Sequence, residues 1–123
     1  MKTKPYRNKF EKSTAEVLKG LCEYEPEKIP YTVFRNYVPD FVGKDKTGKK
    51  ILVEAKGFFR VGDVQKYKAI RDSLINFNCE LIFVLYSPKK KLRKGSKMNM
   101  SEWCTKEGFR WFTVEDVVNA FTS

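Results

Sequence analysis

Apolar residues recur along this chain with two different periods. Phe10, Thr14, Val17, Leu18 and Leu21 fall on one helical face, and Asn8-Lys9-Phe10-Glu11 reads as a capping box that opens the helix. A second helical stripe, Val64, Tyr67, Ile70, Arg71, Leu74 and Ile75, follows Gly62-Asp63, which reads as its cap. Between the two stripes the character changes. Glu23 to Pro30 is a charged connector, and Tyr31 to Val42 is rich in β-branched and aromatic residues and predicts a strand. Pro39 requires a kink or a sheet edge there. Lys44-Asp45-Lys46-Thr47-Gly48 is turn chemistry. Lys50 to Lys56 then alternates, with Ile51, Val53 and Ala55 on one face and Leu52, Glu54 and Lys56 on the other.

Further along, Glu80 to Tyr86 is almost continuously apolar, the pattern of a strand covered on both faces. Asn99-Met100-Ser101-Glu102 repeats the capping-box signal for a short helix ending at Gly108. Phe109 to Phe112 predicts a short edge strand, and Thr113-Val114-Glu115-Asp116 opens a last helix running through Phe121. The order predicts an α/β fold, a mixed central sheet flanked by helices. A length of 123 residues fits a single domain with its own core, residues 1–7 forming a loose basic arm.

Charge sharpens this picture. The chain carries 25 Lys and Arg against 15 Asp and Glu, a net charge of +10, which attracts polyanions. Nucleic acid is the leading partner; no apolar run approaches a membrane span, and no strongly amphipathic basic helix offers itself to a lipid surface. No apolar core follows the basic N-terminus as a signal peptide would require, so the protein is expected to stay in the cytoplasm where it is made. Cys22, Cys79 and Cys104 have neither zinc nor disulfide spacing and read as reduced, mostly buried thiols. Histidine is absent. A histidine general base, a Ser-His-Asp triad and a Cys-His zinc site are therefore excluded. Any catalysis must run on carboxylates, lysines and a metal.

The hairpin supplies candidates. With Lys44 facing Lys50 and Asp45 to Lys49 as the loop, Asp40 falls directly opposite Glu54. Opposed residues have Cβ atoms about 4.5–5.5 Å apart, and like charges there destabilise a sheet. An aspartate inside a strand is also disfavoured. A pair of carboxylates is instead a seat for Mg²⁺ or Mn²⁺. Lys56 lies two residues beyond Glu54 and so shares its face. It could form a salt bridge with either acid, or orient an attacking water and stabilise charge on a phosphate. Glu11 is explained by helix capping alone, yet an acid on a helix packed near the hairpin could complete a second metal site. Two metals about 3.5–4 Å apart would clamp the attacking and leaving oxygens.

Lys89, Lys90, Lys91, Arg93, Lys94 and Lys97 place six cations in nine residues. They form either a solvated flexible loop or a phosphate-contacting surface. Lys2, Lys4, Arg7, Lys9 and Lys12 could form a second one. Nothing resembles a base-reading helix, so binding should select DNA structure rather than sequence. Trp103, Trp111 and the many phenylalanines read as core rather than as base-stacking platforms.

The constellation Pro39-Asp40 followed by Glu54-Ala55-Lys56 resembles the signature of the PD-(D/E)XK nuclease superfamily. The segments Tyr37-Val38-Pro39-Asp40-Phe41, Val53-Glu54-Ala55-Lys56-Gly57, Lys91-Leu92-Arg93-Lys94-Gly95-Ser96 and Glu102-Trp103-Cys104-Thr105-Lys106-Glu107-Gly108 are together similar to the bacteriophage endonuclease I family of Holliday-junction resolvases. The resemblance implies a restriction-endonuclease-like core and Mg²⁺-dependent cleavage of branched DNA by paired nicks, in the host bacterial cytoplasm. It matches Asp40 and Glu54 to the metal-binding acids, the Ala55 carbonyl to a further ligand, Lys56 to the catalytic lysine and Glu11 to the acid of the first helix. It also implies a homodimer whose protomers exchange an N-terminal segment, so that Glu11 would complete the partner's site. A monomeric nicking endonuclease and a non-catalytic basic DNA-binding protein are the alternatives.

Overall fold

The computed structural model describes residues 5–25 and 27–122. Lys2 and Lys4 of the expected basic arm lie outside the described residues. The chain divides into two compact units, residues 1–35 and 36–123.

In the first unit, helix α1 (Lys9–Leu18) begins where expected. Asn8 is its N-cap, its side-chain oxygen accepting the Glu11 N–H at 2.8 Å. None of its residues is buried, and Phe10, Val17 and Leu21 are largely exposed. The apolar stripe that predicted the helix is thus present but uncovered.

In the second unit the hairpin is set by its turn. The Asp45 carboxylate accepts the Thr47 N–H (2.9 Å), the Thr47 hydroxyl (2.6 Å) and the Lys49 N–H (3.0 Å). These bonds, the Thr47 hydroxyl foremost, hold the Asp45 carboxyl below its ordinary pKa. Gly48 supplies the left-handed φ of 86° that the loop needs. Strands β1 (Phe41–Lys44) and β2 (Lys50–Lys56) then pair antiparallel, Lys44 opposite Lys50 and Phe41 opposite Val53. That is the register expected from the sequence.

Helix α2 (Asp63–Ser73) carries the chain from β2 to β3 (Cys79–Leu85), which pairs parallel with β2. Helix α3 (Met100–Lys106) has the predicted capping box between Asn99 and Glu102. It leads to β4 (Trp111–Phe112), parallel to β3, and α4 (Asn119–Thr122) ends the described chain. The sheet is mixed, in the order β1-β2-β3-β4.

Both faces of the two central strands are covered. Leu52, Leu81, Phe83 and Leu85 pack with Tyr67 of α2 and Met100 and Trp103 of α3. Ile51, Val53, Ile82 and Val84 pack with Ala120 of α4. Fully buried Phe83 is the hub of the first face. Its ring meets Tyr67 at 5.0 Å, Phe109 at 5.1 Å, Phe59 at 5.9 Å and Trp103 at 6.2 Å between centroids, mostly edge to face.

Three expectations are corrected. Residues 31–39 form no strand; only Phe41–Lys44 does. Prolines at 30 and 39 bracket the segment, and Pro39 has no N–H for a ladder. The final helix is shorter than Thr113 to Phe121, because residues 114–118 form turns. Asn119, Ala120 and Phe121 donate three residues back rather than four, the tighter turn geometry. Of the three free cysteines only Cys104 is buried; Cys79 is half-buried and Cys22 exposed. Burial pushes the Cys104 thiol up to about 12.

Glu80 ties the sheet's edges together. Its carboxylate accepts two bonds from Arg110 (2.9 and 2.7 Å) and lies 3.5 Å from the Lys49 ammonium. Burial acts against the charged form, but Arg110 and then Lys49 outweigh it and hold the carboxyl below its ordinary range. A carboxyl depressed in the fold stabilises the protein at pH values above the unfolded pKa. That contribution is lost as pH falls through the folded value. Stability measured by urea unfolding should therefore drop on acidification below about pH 5, and Glu80→Gln should flatten that drop. Phe83→Ala should cost about 3–5 kcal/mol in the same measurement, because the four rings around it cannot all close the gap.

Candidate active site

The site is assembled where β2 outruns β1. The ladder stops at the Phe41–Val53 pair, and the next two residues, Asp40 and Glu54, continue its register with side-chain bonds instead. The Asp40 carboxylate accepts the Ala55 N–H at 2.9 Å. The Glu54 carboxylate accepts the Asp40 N–H at 3.3 Å. Each acid thus binds the backbone of the other's strand, and the two carboxylates are brought to one place. Asp40 is exposed, whereas Glu54 is only 7% exposed.

A buried carboxylate needs donors. Tyr67, one turn into α2, supplies one: its hydroxyl donates to Glu54 Oε1 at 2.7 Å. Burial, then this hydrogen bond and the charge of Glu54, push the Tyr67 pKa far upward, so it stays protonated. Tyr37, whose ring meets that of Tyr67 edge to face at 6.3 Å, is held protonated by burial and by the nearby Glu54. Its hydroxyl is buried without a hydrogen-bond partner among the described residues.

Lys56 does not pair with either acid. Its ammonium lies 3.2 Å from Asp63 Oδ2 and 5.1 Å from the centre of the Tyr67 ring. Asp63 is 9% exposed and also accepts the Arg60 N–H at 2.9 Å. The turn from β2 into α2 therefore folds back on itself and holds Lys56 at the strand end. Gly62, with φ of 91°, makes the helix N-cap in place of a side chain.

Neither Asp40 nor Glu54 has an ion-pair partner among the described residues. Two adjacent acids, one of them buried, are left with neutral donors only. Their oxygens are the donor type that Mg²⁺ and Mn²⁺ prefer. The residues present thus fit a hard divalent cation. Among the described residues, however, no group of three or more acidic, His or Cys side chains is gathered for a metal.

Glu11 belongs to the first unit, and its hydrogen bonds there account for it. Arg7 Nε donates to it at 3.0 Å, Asn8 Nδ2 at 3.4 Å, and the Tyr24 hydroxyl also donates to it. Ala55 is exposed, its N–H committed to Asp40.

The basic loop between β3 and α3 is a built lobe rather than a loose one. Lys91 bridges Asn99, Leu92 N–H donates to Met98 at 3.0 Å, and Met100 N–H donates to Lys90 at 2.9 Å. Lys89, Lys90, Lys91, Arg93, Lys94 and Lys97 are all exposed on it, and Lys12 is exposed on α1.

Sequence reasoning missed Asp63, Tyr67 and Tyr37 as parts of this site. Asp63 read as a helix cap and Tyr67 as a core position. Their spacing of four residues, which puts both on one helix face directly after the strand bearing Glu54 and Lys56, was the available signal.

The family model described as phage endonuclease I matches residues 1–118. The chain is similar to Endonuclease I of Escherichia phage T7, with 33% identity over 92 residues, covering 72% of this chain and 58% of that protein. It is similar to Endodeoxyribonuclease 1 of Enterobacteria phage T3, with 34% identity over 89 residues, covering 70% of this chain and 55% of that one. The chain spans a little over half the length of these curated relatives. A family match across nearly all of the sequence places this chain in the phage endonuclease I family.

Proposed function

We propose that this protein is a metal-dependent endonuclease that hydrolyses phosphodiesters of branched or nicked double-stranded DNA. The observation that carries the proposal is the cross-linked acid pair, Asp40 and Glu54, at the end of β2, without an ion-pair partner among the described residues. The names of the T7 and T3 relatives, an endonuclease and an endodeoxyribonuclease, support a DNA phosphodiester as substrate.

Asp40 and Glu54, with the Ala55 carbonyl, would hold Mg²⁺ or Mn²⁺, one or two ions per site. A cation bound there supplies Lewis-acid stabilisation of charge on a phosphoryl oxygen and a better nucleophile at neutral pH. Tyr67 fixes the orientation of Glu54 through its hydroxyl. Asp63 positions Lys56, whose ammonium can orient the attacking water or neutralise charge on the scissile phosphate. Without histidine, no neutral imidazole is available to take the proton. The exposed lobe contacts phosphates and so positions DNA without reading bases; Lys12, exposed on α1, is a further phosphate contact within its own unit.

The protein further acts as a homodimer in this reading, with Glu11 completing a partner's site. The support is the uncovered stripe of α1 and the connector after it, where Ile29, Tyr31, Phe34 and Val38 are largely exposed. Contiguous exposed apolar surface marks association sites in soluble proteins. Light scattering should give twice the 14.4 kDa chain mass. A strict monomer at assay concentration would favour the nicking-only alternative.

Asp40→Asn and Glu54→Gln should each lower cleavage of a synthetic four-way junction by about a hundredfold or more. Both should keep junction affinity in chelator, since affinity rests on the basic surface. Mg²⁺ or Mn²⁺ should raise the melting temperature of the wild type and do so less in either variant. Cleavage that persists in chelator, or intact junction at high protein concentration with Mg²⁺, would remove the proposal in favour of a DNA-binding role alone.

A further inference from the structure

Phe58 is left over when core and catalytic site are accounted for. Its neighbour Phe59 is buried against Tyr67, Phe83 and Trp103. Phe58 points elsewhere and is 52% exposed. Two cations lie over its ring, the Lys90 ammonium 5.5 Å and the Arg60 guanidinium carbon 5.6 Å from the centroid. The ring forms one wall of an open recess of about 420 Å³, whose other walls are Phe59 and the lobe from Lys90 to Gly95. The recess therefore combines a solvent-facing aromatic surface with a rim of positive charge.

That combination matches a nucleotide whose base has left the duplex stack. A planar base gains contact against an aromatic side chain, and the phosphates on either side of it need cations. A continuous duplex cannot use the ring, because its bases are already stacked on each other. Exposed cation–π contacts are weak, so Lys90 and Arg60 can exchange the ring for phosphate oxygens when a base arrives. The position is also suitable. Phe58 is two residues beyond Lys56, within about 7.6 Å along the backbone. Successive phosphates of one strand are spaced by an axial rise of about 3.4 Å. A base on Phe58 would thus lie within a few nucleotides of a phosphate at Lys56.

We propose that Phe58, with Arg60 and the Lys90 side of the basic lobe, forms a stacking subsite for an unpaired nucleotide of the DNA strand next to the scissile phosphate. This rests on the endonuclease reading above and deepens it. It makes Phe58 the residue that distinguishes branched or forked DNA from plain duplex, a selection that phosphate contacts alone cannot make.

The test is fluorescence anisotropy in chelator, so that no cleavage occurs. Three labelled probes share one duplex sequence: a plain duplex, a fork with unpaired tails, and the same fork with abasic residues in the unpaired positions. Wild type should bind the fork about tenfold tighter than the abasic fork. Phe58→Ala should lose about that factor on the fork, lose little on the duplex, and show no remaining abasic penalty. Phe58→Trp should restore the preference. The salt dependence should keep its slope in Phe58→Ala, since stacking releases no counterions, and become shallower in Lys94→Ala. Circular dichroism of each variant checks that the fold is retained.

Equal loss on all three probes, or an abasic penalty that survives in Phe58→Ala, overturns the stacking subsite while leaving the endonuclease reading in place. Failure of the wild type to bind any of the probes overturns both.

Discussion

The Glu54 carboxylate is the point on which the site's architecture turns. It is an ionisable group placed among buried side chains at the end of a central strand, and such a group is costly unless it is surrounded by donors. Its two oxygens recruit the Tyr67 hydroxyl from α2 and the Asp40 backbone from the chain entering β1. Asp40 in turn binds the backbone beside Glu54. One acid thereby couples three segments. The same bonds that satisfy it also prevent Asp40 from turning away from it. Repulsion between the two acids is tolerated because each is held by neutral backbone N–H groups, which stabilise negative charge without neutralising it.

Much of this was legible in the sequence because it depends on local rules. The turn chemistry of Asp45 to Gly48 sets the loop length, the loop length sets the register, and the register alone brings position 40 opposite position 54. The uninterrupted apolar run of β3 announced a strand covered on both faces, and two helices and α4 do cover it. What was not legible depends on tertiary partners. Residues 31–39 have strand composition but no partner strand, and composition cannot provide one. The stripe on α1 announced a helix but could not say what covers it. Lys56 shares a face with Glu54 by periodicity, yet its side chain follows the chain into the next turn to meet Asp63. A long flexible side chain at a strand end is directed by the loop that follows, which alternation does not describe.

The phenylalanines show the same limit at the scale of one residue. Phe58 and Phe59 are indistinguishable by composition, and both read as core. Gly57 ends the strand, and after it the chain no longer alternates about a sheet, so only one of the two rings can reach the aromatic hub around Phe83. The other is directed toward the basic lobe. That lobe is itself positioned by Leu92 and Met98, which pack against the core and anchor a segment rich in exposed cations.

The arrangement separates charge by sign along one end of the sheet. The acids are gathered at the β1–β2 boundary and satisfied by backbone and tyrosine donors. The cations are displaced one step outward, onto the turn after β2 and the lobe after β3. Lys56 stands at the end of β2 beside the acids, and Asp63 holds it there. A polyanion approaching this face meets the exposed lysines and arginines first, at long range. The acids would repel a phosphate that came close with nothing between them. In the proposed endonuclease, attraction of DNA to the outer surface would need no cation, while the last approach of a phosphate to the acids would be eased by one. Under the proposed function, the outer ring would hold a DNA strand at the surface, and a cation offsetting the charge of Asp40 and Glu54 would let the scissile phosphate settle beside them. In that reading hydrolysis would be favoured in the metal-loaded protein without any moving part, and the preference follows from the placement of charges rather than from the identity of the reaction.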